Sequence, residues 1–338
     1  MELAHLHLHT EYSLLDGCCR IDELMDAVLK QGQKSVAVTD HGVMYGAVEF
    51  YKAAVKRGIK PIIGCEVYVA PRTRFDKQKA FDSKYNHLVL LCENNEGYQN
   101  LIKLVSLSFT EGFYSKPRVD KELLKKYSKG IVALSACLAG EIPSALLRND
   151  YDAAKSAALE YLSVFGENNF FIELQNHFLD EQQKINPLLI KLSKETGIPL
   201  VATNDVHYIK KEDALIHKVL LCVQTGSKIN EKNPIEFKTE EFYLKSAEEM
   251  AALFESTPEA VENTVKIADR CNVTFEFGKI KLPFFDTGGE DHFEFLKERC
   301  YKGLYRLYGE NPEKSVKDRL DYELSVISEM GYTDYYLI

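Results

Sequence analysis

The chain has 338 residues, 45% apolar and 28% charged, with no Trp, 19 Tyr and 18 Phe. That length fits about two domains, or one large barrel with an appendage, and the composition excludes a disordered, collagenous or coiled-coil chain. The 42 Lys and Arg against 51 Asp and Glu leave a net charge of −9. This excludes a surface built for broad phosphate-backbone binding and restricts any nucleic-acid contact to a local patch.

In chain order, the hydrophobic period switches repeatedly between 2 and 3.6, the pattern of strands alternating with helices. Residues 3–9 (LAHLHLH) alternate as a strand, and the next stretch places Ile21, Leu24, Met25, Val28 and Leu29 on one helical face. A strand at 35–40 follows, then a helix through Val48, Tyr51, Ala54 and Val55 that stops at Gly58, then a strand in KPIIGCEVYVA. Further strands are expected at 87–92, 131–136, 170–175 and 198–205, with helices at 96–107 and 153–164 between them. About seven strands with their helices thus occupy residues 1 to about 210, and parallel βα units in that number close as a barrel or open as a doubly wound sheet.

Beyond residue 210 the pattern is helical, in KEDALIHKVLLCVQTG, AEEMAALF and PEAVENTVKIADRC. Pro, Gly and acidic residues at 281–292 mark a second boundary. Helices resume at 293–308 and 314–330, and the chain ends on an apolar, strand-like YYLI, which reads as a docked strand or as a cut inside a longer protein. The eight cysteines include no CxxC pair, so a structural zinc ribbon is excluded. MELAHLHLHT lacks the features of a secretion signal, and the longest apolar stretch, 131–140, is half of what a membrane span needs. The expectation is reduced thiols, no membrane and a cytoplasmic address.

Ligand-capable residues gather at the strand ends. In an extended HLHLH, His5, His7 and His9 share one face. The same spacing recurs at Asp205 and His207, and Asp16, His41, Glu66 and Cys137 follow other strands. If the strands are parallel, these ends meet on one rim, where α/β enzymes build their sites. Imidazoles, carboxylates and a thiol form a transition-metal set, favouring Zn or Mn over an all-oxygen Mg site, and are too numerous for one ion. Two or three ions are implied, and three divalent ions set against Asp16, Glu66, Asp205 and a Cys137 thiolate would leave the pocket net positive and suited to phosphate. His87 opens its strand and belongs on the opposite rim unless the preceding loop carries it over. His217 and His292 read as helical or linker histidines.

The motifs HLHLHTEYSLLDG, VTDHG, IIGCE, NHLVLL, LSACLAGE and ATNDVHY, in this order, resemble the polymerase and histidinol phosphatase (PHP) superfamily. The version most similar to this chain stands at the N-terminus of bacterial replicative polymerases of the C family, polymerase III alpha subunits. GFYSKPRVD and YELSVISEMGYTDYYLI resemble the same polymerases. The resemblance implies an α/β fold: a distorted seven-stranded β/α barrel of PHP type followed by a mainly helical C-terminal segment. The PHP domain would cover 1–283 (core 1–210, helical continuation 211–283), and 284–338 would begin a truncated polymerase palm. It implies a metal site of His7, His9, Asp16, His41, Glu66, His87, Cys137, Asp205 and His207, holding two or three Zn and/or Mn ions, with Fe or Mg also compatible. Asp40 and His177 are candidate catalytic residues, and Arg118 a candidate phosphate ligand. The implied activity is metal-dependent phosphoester hydrolysis, as a 3′-to-5′ proofreading exonuclease. Alternatives are a metal-stapled scaffold without activity and a phosphomonoesterase of the histidinol phosphate kind. Implied partners are a DNA primer 3′ end, the remainder of the polymerase chain, and the sliding clamp and other replisome subunits. The polymerisation carboxylates would lie beyond this sequence.

Overall fold

The computed structural model describes residues 2–231, 237–279 and 282–338. It divides into two compact units, Met1–Phe275 and Glu276–Ile338. Lys281, where the expected boundary begins, lies outside the described residues.

The first unit is a curled α/β sheet wrapped by helices. Its strands are β1 (Ser35–Val38), β2 (Lys60–Val69), β3 (Asn86–Cys92), β4 (Arg118–Val119), β5 (Ile131–Leu134), β6 (Phe170–Leu174) and β7 (Leu200–Ala202). The order is β1-β2-β3-β5-β6-β7, with the short β4 beside the end of β2. Residues 3–9 are not a regular strand. They make single parallel bridges, His5 to Val36 at the β1 edge and Leu8 to Val206 just after β7, and so join the two edges of the sheet. Backbone bonds from Ala37 to His5 and from His9 to Val206, both 2.8 Å, hold this junction.

The sheet is mixed. β3 runs antiparallel to both β2 and β5, whereas β1/β2, β5/β6 and β6/β7 are parallel. One side chain in two along each strand packs into a small inner cluster that includes Leu6, Ala37, Ile62, Val89, Leu134, Phe171 and Val201. Ile267 and Ala268 of the helix Pro258–Arg270 join it. The larger cluster lies between the sheet and the surrounding helices. Burial of both faces explains why these strands read as near-continuous apolar runs.

The helices form where the 3.6 period lets one stripe meet the sheet. Ile21–Lys30 buries Ile21, Leu24, Met25 and Val28, while Leu29, expected on that stripe, is exposed. Ala47–Lys56 turns Ala47, Phe50 and Ala54 inward and leaves Val48 and Val55 outside, a rotation of the expected face. Helices Glu141–Leu147 and Asp180–Thr196 complete the layer and were not legible individually in the sequence. In the second unit, Asp291 caps His292–Tyr308, followed by Lys314–Glu329 and by Thr333–Leu337. The YYLI tail is thus largely helical, not a strand.

Arg118 is not a phosphate ligand in waiting. Its guanidinium is fully buried and donates to the carbonyl oxygens of Gly112 (3.1 Å), Asp82 (3.2 Å), Arg74 (3.3 Å) and Asp76 (2.9 Å). It therefore clamps the loop that leads from β2 into β3. Each buried carbonyl left without a donor costs about 1–3 kcal/mol. Arg118→Met should lower stability by ~3 kcal/mol or more, read as a reduced urea midpoint; an unchanged midpoint would disprove the clamp.

Candidate metal centre

The reversed direction of β3 decides the site. Tyr68 near the end of β2 pairs with His87 at the start of β3, so the strand's N-terminal end lies on the rim formed by the C-terminal ends of its parallel neighbours. His87 reaches the cluster through strand direction, and the loop need not carry it across. His41 follows β1, Cys137 follows β5, and Asp205 and His207 follow β7.

The expected row of three histidines is broken. The chain bends at His7, so His7 and His9 both face the cluster, while His5 turns away and its Nε2 donates to the Lys245 carbonyl at 2.8 Å. The loop carrying Asp16 returns tightly to the strand. A Cβ at Gly17 would stand 2.1 Å from the Thr10 carbonyl oxygen, so only glycine permits this approach. Asp205 itself has φ 44°, a left-handed conformation tolerated by Asp at some cost in strain.

Glu66 occupies the middle. Its Oε1 is 3.0 Å from His87 Nδ1 and 3.3 Å from His7 Nε2, and its Oε2 is 2.6 Å from His41 Nδ1 and 3.7 Å from His9 Nε2. Asp205 Oδ1 lies 3.1 Å from both His7 Nε2 and His9 Nε2. Asp16 meets His41 at 3.1 Å and His207 at 3.8 Å, and Cys137 Sγ is 3.7 Å from His87 Nδ1. All nine expected ligand positions therefore converge. Three triplets bring one ligand atom from each residue within 4.8 Å of one another: His9, His41, His207; His7, His9, Glu66; and His41, Glu66, His87.

The surrounding hydrogen bonds fix which ring nitrogens face inward. His7 Nδ1 donates to Glu173 Oε1 (2.7 Å), His9 Nδ1 to Ser13 Oγ (3.2 Å), and His207 Nδ1 to the Asp205 carbonyl (2.7 Å). Each leaves the Nε2 lone pair aimed into the cluster, as second-layer partners do for metal-binding histidines. Asp40 works behind this layer. Its buried carboxylate accepts from Thr10 N (2.7 Å), Thr10 Oγ1 (2.8 Å) and Ser13 Oγ (2.8 Å), and Ser13 Oγ in turn accepts from His41 N (3.1 Å). His177 is likewise fully engaged: Nε2 donates to the Asn204 carbonyl (3.0 Å), Nδ1 accepts from Gln182 (2.8 Å), and the ring stacks on Phe242. The expected catalytic roles of Asp40 and His177 are replaced by positioning of Ser13 and of the turn before Asp205.

The residues fit divalent ions on physical grounds. His7 Nε2, Asp16 Oδ1, His41 Nδ1 and Glu66 Oε2 are buried and, although ion-pair partners stand near them, make no aligned hydrogen bond, an arrangement that is costly unless another group completes it. Charge tells the same story. Burial opposes a charge on His41, but Glu66 and Asp16 outweigh it and lift the ring to about 10; His7 is raised likewise by Asp205, Glu173 and Glu66. His9, pressed by burial and by its neighbours His41 and His207, falls to about 3. Burial pushes the Cys137 thiol well up. Protons on His7 and His41 thus stand where cations fit.

Two contributors escaped the sequence reading. Glu173 lies in the apolar strand FFIEL, where a lone acid was itself a signal. His217 sits on the helix Ala214–Thr225, buried, with Nε2 3.6 Å from Asp16 and its ring 5.4 Å from His207. Nothing in its local pattern separates it from an ordinary helical histidine.

Residues 5–177 match the family profile described as PHP domain. The chain belongs to the PHP domain family. Beyond the PHP match, residues 294–338 match the profile described as bacterial DNA polymerase III alpha NTPase domain. The PHP chain is 45% identical over 343 residues to DNA polymerase III subunit alpha of Treponema pallidum, covering 100% of this chain and 29% of that protein. The subunit alpha of Borreliella burgdorferi is also 45% identical over 343 residues, covering 99% of this chain and 29% of that one. The chain thus spans under a third of the length of these relatives. In shape, an amidohydrolase from Chromobacterium violaceum aligns over 60% of this chain and 87% of its own at 16% identity, with a TM-score of 0.40, too distant to inform the site. Among the described residues no helix is long and apolar enough to cross a membrane.

Two expectations follow. Glu173→Gln should weaken metal uptake by about 10–100-fold in an equilibrium competition with a chromogenic chelator; uptake equal to the parent would refute the orienting role. Burial lowers His177 to about 4, whereas the unfolded ring titrates near ~6.5. Its contribution to stability is therefore full above ~6.5 and is lost as pH falls to about 4, by ~1.4 kcal/mol per pH unit. Urea midpoints should fall less steeply across that window in His177→Asn than in the parent; parallel slopes would count against a neutral buried ring.

Proposed function

We propose that this chain is the N-terminal part of a bacterial replicative DNA polymerase, acting in the cytoplasm, whose PHP domain hydrolyses phosphodiesters at a metal cluster as a 3′-to-5′ proofreading exonuclease. The observation that carries the reading is the convergence of nine ligand-competent side chains, Glu66 in their middle, with three imidazoles already turned to offer Nε2 inward. His7, His9, Asp16, His41, Glu66, His87, Cys137, Asp205 and His207 would hold two or three divalent ions, Zn or Mn by the softness of the donor set. When bound, such ions supply Lewis acidity and a water acidified to near neutral pH.

The chain's own residues do the rest. Glu66 reaches both halves of the cluster with its two oxygens, and Asp205 ties His7 to His9. His7, His9 and Glu66 form a dry floor, while Asp16, His41 and His87 keep side-chain exposures of 18, 15 and 14%. A phosphodiester therefore approaches over this second group. The substrate in this reading is a primer 3′ end, with the remainder of the polymerase chain, the sliding clamp and other replisome subunits as partners.

The metal-loaded protein should shorten DNA with a mismatched 3′ end. Chelation should stop this, and Asp16→Asn should slow it by about two orders of magnitude, in a gel assay of end trimming. Hydrolysis of histidinol phosphate without effect on DNA would replace the reading with a phosphomonoesterase. Loss of melting temperature on chelation in a protein that never trimmed DNA would leave a scaffold.

A further inference from the structure

A cleft opens beside the exposed edge of the cluster. It holds about 220 Å³, and Asp16 and His41 form part of its wall together with Tyr45, Tyr68, Phe109 and Lys116. Its aromatic members divide by exposure. Tyr68 is buried and lies stacked against His41, with ring centroids 6.2 Å apart. Tyr45 is 62% exposed and Phe109 38% exposed. A soluble surface leaves such rings open at little cost one at a time, but here two of them flank a cleft walled by Asp16 and His41.

Lys116 supplies the complementary charge. Its Nζ lies 5.3 Å from the Tyr68 ring centroid, and among the described residues no carboxylate makes an ion pair with it. In a chain with net charge −9, an unpaired cation next to a phosphoester-sized site is a local exception. The combination of aromatic faces, one cation and adjacent metal ligands is the recognition chemistry of an unpaired base followed by its phosphate. A small phosphomonoester has no use for the rings, and the cleft suits one planar ring system, not a duplex end.

We infer that this cleft is the subsite for the unpaired 3′-terminal nucleotide of a DNA strand, its base stacked on Tyr45 and Phe109 and its phosphate drawn to Lys116 beside Asp16 and His41. The inference rests on the phosphodiesterase reading for its substrate class and adds how the end is recognised. Stacking is tolerant of sequence, so the subsite selects unpaired ends over paired ones and does not select among the four bases.

The test measures binding and needs no turnover. Labelled single strands carrying a 3′-terminal phosphorothioate linkage, to resist cleavage, are titrated into the metal-loaded protein and followed by anisotropy. One strand ends in a normal nucleotide and the other in an abasic one. The parent should prefer the normal end by about tenfold, and Tyr45→Ala and Phe109→Ala should each reduce that preference while metal content stays at the parent level. Lys116→Ala should weaken both strands alike. Equal affinity of the parent for both strands, or a preference untouched in both aromatic variants, overturns the inference. If the preference exists and depends on Tyr45 while no trimming is seen, the hydrolytic reading fails and the subsite stands.

Discussion

One buried carboxylate sets the terms for the first unit's rim. Glu66 sits fully out of water with imidazole nitrogens of His7, His9, His41 and His87 between 2.6 and 3.7 Å from its oxygens. An isolated carboxylate at that depth would be expensive, and the cost is met only if positive charge surrounds it. Protons on His7 and His41 do this in the metal-free chain, and divalent ions held by the same side chains would do it when bound. Either way, the rim is stable only as an assembled cluster, because removing any one partner leaves the others unbalanced in low dielectric.

The backbone accommodates this cluster through a reversal of chain direction. A purely parallel ring would leave the start of β3 on the far side. Running β3 antiparallel between β2 and β5 places a strand's first residue among the last residues of its neighbours, and one more ligand becomes available without lengthening any loop. Arg118 secures the loop that makes the reversal by hydrogen bonding three of its carbonyls, those of Arg74, Asp76 and Asp82, and ties it to the Gly112 carbonyl. A residue expected to touch substrate instead serves the geometry one step earlier.

A similar displacement applies to Asp40 and His177. Asp40 adjoins His41 in sequence and His177 meets the residue before Asp205 in space, yet each has its side-chain polar atoms engaged within the protein, Asp40 through Thr10 and Ser13 and His177 through Gln182 and the Asn204 carbonyl. Their role is to hold Ser13, and the turn ahead of Asp205, in place. The burial gradient across the cluster then separates a dry floor from an open edge, and the aromatic cleft continues that edge outward.

The sequence by itself determined the alternation of strands and helices, because burial period follows directly from side-chain spacing. It also determined the ligand types, since HLHLH, DHG, GCE, SAC and NDVH carry imidazole, carboxylate and thiol wherever they fold. The motif resemblance implied which nine ligands meet, but residue spacing alone could not show how they do. A bend at His7 removed His5 from the row and kept His7 and His9 in it, strand reversal brought His87 across, and helix packing delivered His217 beside Asp16. These outcomes depend on pairing between segments tens to hundreds of residues apart, where local periodicity carries no information. Glu173 stands between the two cases: an acid within an apolar strand was visible in the sequence, but only the tertiary structure gave it His7 as a partner.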